Sequence, residues 1–167
     1  VGSYPGRWGG VAGHAEGDPA AAAREEIREE TGLGPAEVAV VRRGEALPVT
    51  DEALDTRWLV YPFLVDASTR EIVTNRETTT AEWVPPPAIL RRETVPGLWA
   101  AYDRVRPTVE TVANDREHGS AWLSLRGLEV LRDEAALAAA SRDDGSAGGA
   151  ALRETALALV DAREDVA

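Results

Sequence analysis

With 167 residues the chain can bury one good core, or one domain and part of another. It has no Cys and only two His, which excludes disulfides, thiolate nucleophiles, thiolate zinc sites and a His-rich metal site. All 18 basic residues are Arg and the formal charge is −11, a balance that argues against nucleic acid held by its backbone.

Excess acid without Lys also suits a halophilic protein, kept soluble in high salt. No run of about twenty apolar residues occurs, so no membrane span is expected, and no signal-peptide pattern opens the chain. A cytoplasmic location is therefore the expectation.

The first organised element is a glycine-rich acidic loop, Gly13-His14-Ala15-Glu16-Gly17-Asp18, running into a helix predicted over Pro19 to Thr31. Asp18 is placed to be the N-cap, Pro19 takes the first helical position and Gly32 stops the helix. Glu26, Glu29 and Glu30 are related by three and four residues and share a face, while Ala20, Ala23 and Ile27 form the opposite apolar stripe. Glu26 with Glu30 and Glu25 with Glu29 are like charges at i,i+4, each costing roughly 0.2–0.5 kcal/mol on an isolated helix. A bound cation reverses that penalty. Magnesium suits such a site because it takes oxygen ligands and is usually held by one or two carboxylates together with substrate phosphates. Loop and helix thus point to divalent metal and phosphate chemistry; the plain alternative is a solvated, charged helix face.

Next, Val38 to Arg43 is a short β-branched run, and Arg57 to Val65 is a longer strand candidate in which Pro62 marks an edge or bulge. Between them, Pro48 and the acidic stretch Asp51 to Asp55 read as loop. Asn75-Arg76-Glu77 is followed by Glu82-Trp83-Val84-Pro85, expected on a strand with Trp83 in the core. A helix is predicted from Pro87 to about Arg106, with Leu90, Val95, Leu98, Trp99 and Tyr102 as its apolar positions and Pro96 as a point of breakage.

Past Pro107 the texture is helical. Ala121, Leu125, Leu128, Leu131 and Ala135 form one stripe, and Leu152, Ala156, Leu159 and Val160 a second, separated by a loop from Ser141 to Gly149. Such a pair needs a surface to cover, which makes association between copies, a homo-oligomer, an expectation. His118 reads as a helix-cap or packing residue.

The segment Glu26-Ile27-Arg28-Glu29-Glu30-Thr31-Gly32-Leu33 resembles the end of the Nudix hydrolase signature, Gly-x5-Glu-x7-Arg-Glu-Uaa-x-Glu-Glu-x-Gly-Uaa with Uaa aliphatic. Trp8-Gly9-x-x-x-Gly13-His14-x-Glu16 looks like the same family's Trp-Gly-x-Pro-Gly-Gly-His-x-Glu entry. Between these anchors the loop is shortened, and Asp18 stands where the signature Glu would be. Counting forward from Gly10 instead places Glu16, Arg24 and Glu25 at the right spacing but leaves one residue extra before Ile27, which turns a helix by about 100°. With the helix as anchor, Glu25 occupies the place of the family's Arg, and Arg24 or Arg28 is its substitute.

The resemblance implies an α/β class, an α/β/α sandwich with a mixed sheet followed by an α-helical segment, and hydrolysis of a nucleoside diphosphate linked to another group. It implies Mg2+ or Mn2+ as cofactor and a nucleotide or sugar diphosphate as the small-molecule partner. Glu26, Glu29 and Glu30 are the expected metal ligands, with the Gly13 carbonyl and Glu16 contributing from the loop. Glu29 is also the candidate base and Arg24 the candidate orienting arginine. Arg7 and Arg57 are candidates for substrate phosphate, and Glu82 for a substrate or metal contact from outside the signature. A Nudix domain would ordinarily have a strand and hairpin before Gly2, and the chain opens on Val1 with no Met anywhere, so a fragment is expected. A second reading is a regulatory sensor that binds a nucleotide or sugar phosphate without turning it over and controls the attached domain; Glu25 in the place of the family's Arg is the feature that favours it.

A second, weaker resemblance covers about sixty residues, carried by the stretch from Asp115 to Asp133. It is similar to the N-terminal helical part of the alpha/beta/delta subunits of the translation-initiation nucleotide-exchange factor, initiation factor 2B, a family that includes ribose-1,5-bisphosphate isomerases. The expected organisation is a Nudix domain over 1–106 and the helical start of that second domain over 107–167.

Overall fold

A computed structural model describes residues 4–76, 78–141 and 145–164, without the side chains of 145–147, 163 and 164. Glu77 and the part of the expected interhelical loop from 142 to 144 lie outside the described residues. The chain divides into two compact units, Val1–Pro85 with Arg92–Val105, and Pro86–Arg91 with Arg106–Ala167.

In the first unit, helix α1 spans Pro19–Thr31 and is bounded as its sequence dictates. The Asp18 carboxylate accepts from the Ala20 amide at 3.0 Å, and Gly32, at φ 73°, turns its amide back onto the Arg28 carbonyl at 3.0 Å. Ala20 and Leu33 are buried at the two ends of this helix.

Strand β1, Val38–Arg43, falls where the β-branched run predicts it. The long strand expected from Arg57 to Val65 is instead two, β3 at Thr56–Val60 and β4 at Phe63–Ala67, separated at Tyr61-Pro62. Proline has no amide to give a ladder, and here its carbonyl accepts from Gly44 at 2.9 Å, so the chain changes partner at that point. Strand β4 pairs antiparallel with β1, with a register shift between Val40 and Arg42. Strand β3 pairs antiparallel with β2, Leu47–Asp51, which contains the Pro48 expected in a loop. A two-stranded ribbon leaves each strand one side without ladder bonds, and a proline can face that side. Only Glu52 to Asp55 remain as the turn, and Asp55 there has φ 46°. The α/β class holds, while the mixed character of the sheet comes down, among the described residues, to one isolated parallel bridge between Trp8 and Thr94.

The helix expected from Pro87 to Arg106 is not continuous. A 3-10 turn covers Pro86–Arg91, an extended stretch follows, and α2 begins only at Leu98 and ends at Asp103. Pro96 and Gly97, the latter at φ 74°, make the break. The extended stretch hydrogen-bonds to the entry loop: the Trp8 amide donates to Glu93 and the Val95 amide to Trp8, both at 2.9 Å. Glu82 and Trp83 lie outside any strand, and Trp83, expected in the core, is 50% exposed with its indole donating to the Arg70 carbonyl at 2.9 Å.

The second unit holds α3, Val109–Asn114, α4, Ser120–Ala140, and α5, Gly145–Glu164, around a core of Val112, Leu123, Val130 and Leu159. Thr108 and Thr111 form a reciprocal capping box that starts α3. The buried face of α4 is Leu123, Gly127, Val130 and Asp133, not the stripe expected through Leu125 and Leu128, which are 50% and 63% exposed. On α5, Leu159 is buried as expected but Val160 is exposed. Helix α5 starts at Gly145, inside the expected loop, and Gly148 lets it approach α4, since a β-carbon there would lie 2.8 Å from that of Ala138. His118 packs: its ring stacks on Trp122 at 3.9 Å and its Nδ1 lies 2.8 Å from Asp115. No helix among the described residues is long and apolar enough to cross a membrane.

Candidate active site

The four glutamates of α1 divide by helical phase. Glu26 and Glu30 are half-buried, whereas Glu25 and Glu29 are exposed together with Arg28. The Glu26 carboxylate reaches the entry loop so closely that a β-carbon on Gly13 would coincide with it. With glycine at 13 the loop backbone lies against the Glu26 side chain, and any larger residue there would require that carboxylate to move.

On the exposed side, Arg28 bridges two carboxylates. Its Nη2 and Nε donate to the two oxygens of Glu25 at 2.5 and 3.2 Å, and Nη2 also reaches Glu29 at 3.3 Å. The hydrogen bonds from Arg28 hold the Glu25 carboxyl below its ordinary range, and Glu25 in turn raises the Arg28 guanidinium. Arg24, the expected orienting arginine, donates to the Ala20 carbonyl of its own helix at 3.3 Å instead. Glu16 is exposed in the loop, ahead of Gly17 at φ 95°.

Hard oxygen donors are what a small divalent cation takes, and the carboxylates of α1 supply them. Donor chemistry and the Gly13 cradle therefore fit such an ion. Among the described residues, however, no three His, Asp or Glu side chains converge closely enough to hold a metal as they stand. The expected five-residue ligand set is represented by the Gly13 and Glu26 contact and by the shared helix, not by a closed cluster.

Arg7 lines a cavity of ≈ 220 Å³ with Tyr4, Pro5, Asp51, Ala53, Leu54 and Pro96, while its Nη1 donates to the Thr94 carbonyl at 3.1 Å. Asp51 is buried there, and its Oδ1 accepts from the amides of Ala53 and Leu54 at 2.8 and 3.2 Å. Donation from the Tyr4 hydroxyl is the main cause of a lowered Asp51 carboxyl, with those amides adding to it against the effect of burial. Burial, then the Asp51 carboxylate, pushes the Tyr4 phenol up. The Trp58 indole donates to the Tyr4 oxygen at 3.0 Å, and the His14 ring meets Trp58 edge-on at 5.7 Å. Tyr4 and Asp51 are not legible as a pair in the sequence. A turn-type aspartate signals only its local amide bonds, whereas its phenol partner is remote in the chain.

Glu82, expected near substrate, pairs with Arg92 at 2.7 Å, and the Arg92 guanidinium lies 4.4 Å over the Trp8 ring. Its contact is thus with the segment that tethers the entry loop.

A capped helix rich in carboxylates, entered through a glycine loop and accompanied by antiparallel ribbons, defines an α/β domain with the donors for metal-assisted phosphate chemistry. The NUDIX domain matches residues 2–105, more than half of the chain, and the chain belongs to that family. A comparison with curated proteins and one with solved structures give no match. Membership supports a hydrolase of nucleoside diphosphate derivatives in general terms.

Proposed function

We propose that the chain is a Nudix-type hydrolase that cleaves the diphosphate linkage of a nucleoside diphosphate derivative with Mg2+ or Mn2+. The observation that carries this reading is the packing of the Glu26 carboxylate against Gly13, inside the matched region and at the join of glycine loop and glutamate helix. Glu26, Glu29 and Glu30 are the ligands, with the Gly13 carbonyl and Glu16 from the loop. These residues would hold a divalent cation, which would supply charge neutralisation of the phosphate oxygens during attack.

Glu29, the exposed one of the three helix glutamates, takes the proton of the attacking water as a new P–O bond forms. The bridging P–O bond breaks, and two phosphate-bearing products leave. Arg7, in the lining of the Tyr4 and Asp51 cavity, is the residue that contacts substrate. Phosphate-containing products assayed over a panel of nucleoside diphosphate derivatives with Mg2+ test this: turnover that Glu29→Gln abolishes is expected.

A second reading is a sensor that binds nucleotide or sugar phosphate without hydrolysing it. Glu25 in the place of the family's Arg, with Arg24 turned to a backbone carbonyl, favours it. Tight binding with no turnover across the panel would select this alternative. Residues 107–167 are read as the helical start of an initiation-factor-2B-like domain that either activity would serve.

A further inference from the structure

Helices α4 and α5 run antiparallel: a β-carbon on Gly127 would lie 3.8 Å from Leu159, and one on Gly148 2.8 Å from Ala138. Leu128 and Val160 each follow a residue that faces the other helix, and each is turned on from it by about 100°. In antiparallel helices those two turns lead to the same side, so Leu128 and Val160, 63% and 56% exposed, share one open face of the pair. Leu157, 59% exposed, stands beside Val160 at the α5 edge of that face, level with Leu128 to within about one residue.

Arg153 and Asp161 lie at i−4 and i+4 from Leu157, on the same exposed strip of α5. Among the described residues neither has an ion pair or a side-chain hydrogen bond. A two-fold axis at Leu157 that sets two copies of α5 antiparallel turns this order onto its reverse. Leu157 then meets its own copy, and Arg153 of each chain meets Asp161 of the other, in two equal pairs. An apolar centre flanked by opposite charges at equal spacing is self-complementary, which fits a second copy of the chain. The same axis brings Leu128 beside its copy.

We propose that the outer face of α4 and α5 is a two-fold interface between copies of this chain, centred on Leu157 and Leu128 and held in register by reciprocal Arg153–Asp161 pairs. Two helices about 30 Å long, side by side, present a face roughly 20 Å across, so about 600 Å² per copy and about 1,200 Å² in all, the lower end for a specific interface. Burial of the leucines and the valine supplies the attraction, while exposed ion pairs add little affinity and fix orientation. The formal charge of −11 sets two copies repelling each other, but the strip carries one charge of each sign and adds nothing to that repulsion. The interface is independent of the hydrolase reading, since every residue in it belongs to the second compact unit.

Sedimentation velocity of the whole chain tests this, from about 1 to about 300 μM in about 0.15 M salt, where repulsion is screened beyond about 8 Å. A monomer–dimer equilibrium is expected for the unsubstituted chain. Arg153→Glu and Asp161→Arg each set two like-charged pairs across the axis and should each weaken the dimer at least about tenfold. Combined, they restore opposite charges in exchanged positions and should return the affinity to within about threefold of the unsubstituted value. Leu157→Asp should leave monomer throughout, with unchanged far-ultraviolet circular dichroism because the position is exposed. A monomer at every concentration overturns the assignment. So does a double variant as weak as the singles, or a dimer indifferent to the single reversals or to Leu157→Asp.

Discussion

Glu26 fills with its carboxylate the space in which residue 13 would carry a β-carbon. Gly13→Ala therefore forces either the loop or the glutamate to move. Helix α1 keeps its caps, so the fold should persist while the geometry between the entry loop and Glu26 is lost. Mn2+ affinity should fall roughly 10–100-fold, the range for disturbing what orients a metal ligand. Far-ultraviolet circular dichroism alongside a Mn2+ titration checks it; unchanged affinity would show that the contact is irrelevant to metal.

At the start of α2, Gly97 has φ 74°, and a β-carbon would lie 2.6 Å from Val49 Cγ2. Gly97→Ala combines a left-handed backbone with a collision against a buried valine. The backbone alone costs about 1–3 kcal/mol. Urea unfolding followed by tryptophan fluorescence should show a midpoint lowered accordingly, with Gly10→Ala, whose β-carbon would sit at ordinary contact distance of 3.9 Å from Leu98, nearly unchanged.

The Tyr4 and Asp51 pair sets a pH window. A carboxyl lowered in the folded chain adds stability that is complete above its unfolded value, about 3.9, and is lost as pH falls through the folded value. A phenol raised in the folded chain adds stability that is complete below about 10 and is lost as pH rises through the folded value. Melting temperatures of the unsubstituted chain and Asp51→Asn should differ most near neutral pH and converge in acid. A constant difference from neutral pH down to about pH 2 would contradict the shift.

Acid excess gives the salt prediction. With a formal charge of −11 and no Lys, self-repulsion should weaken the folded chain at low ionic strength, and molar salt should raise its melting temperature. A melting temperature that falls between low and molar salt would rule out the halophilic reading.

What could be read in advance depended on how local the cause was. Asp18, Pro19 and Gly32 bound α1 by capping chemistry within a few residues, and strand β1 follows from a β-branched run. The division between β3 and β4 was hidden because Leu59 to Val65 is apolar throughout, and only the exchange of partners at Pro62 shows the break. Helix α4 carries apolar side chains on more than one face, so the rows through Leu125 and Leu123 are equally periodic. Only packing against Val112 and Leu159 picks the second. At the site, helical phase put Glu26 and Glu30 together as found but placed Glu29 with them, whereas Glu29 lies exposed beside Glu25 and Arg28, and it did not tell which arginine would serve. Arg24 and Arg28 are one turn apart, and their side chains settle on a carbonyl and on carboxylates respectively.

The hydrogen bonds that fasten Trp8 to Glu93 and Val95 carry a consequence for synthesis and dissection. A ribosome working at ~5–20 residues per second delivers the entry loop several seconds before the segment that anchors it. Until that strap arrives, α1 can form on its own caps, but the glycines leading into it have no fixed end. A recombinant piece cut at Pro85 would stop just short of the strap. One cut after Val105 would include it, together with the turn at Pro86–Arg91 that belongs to the other unit.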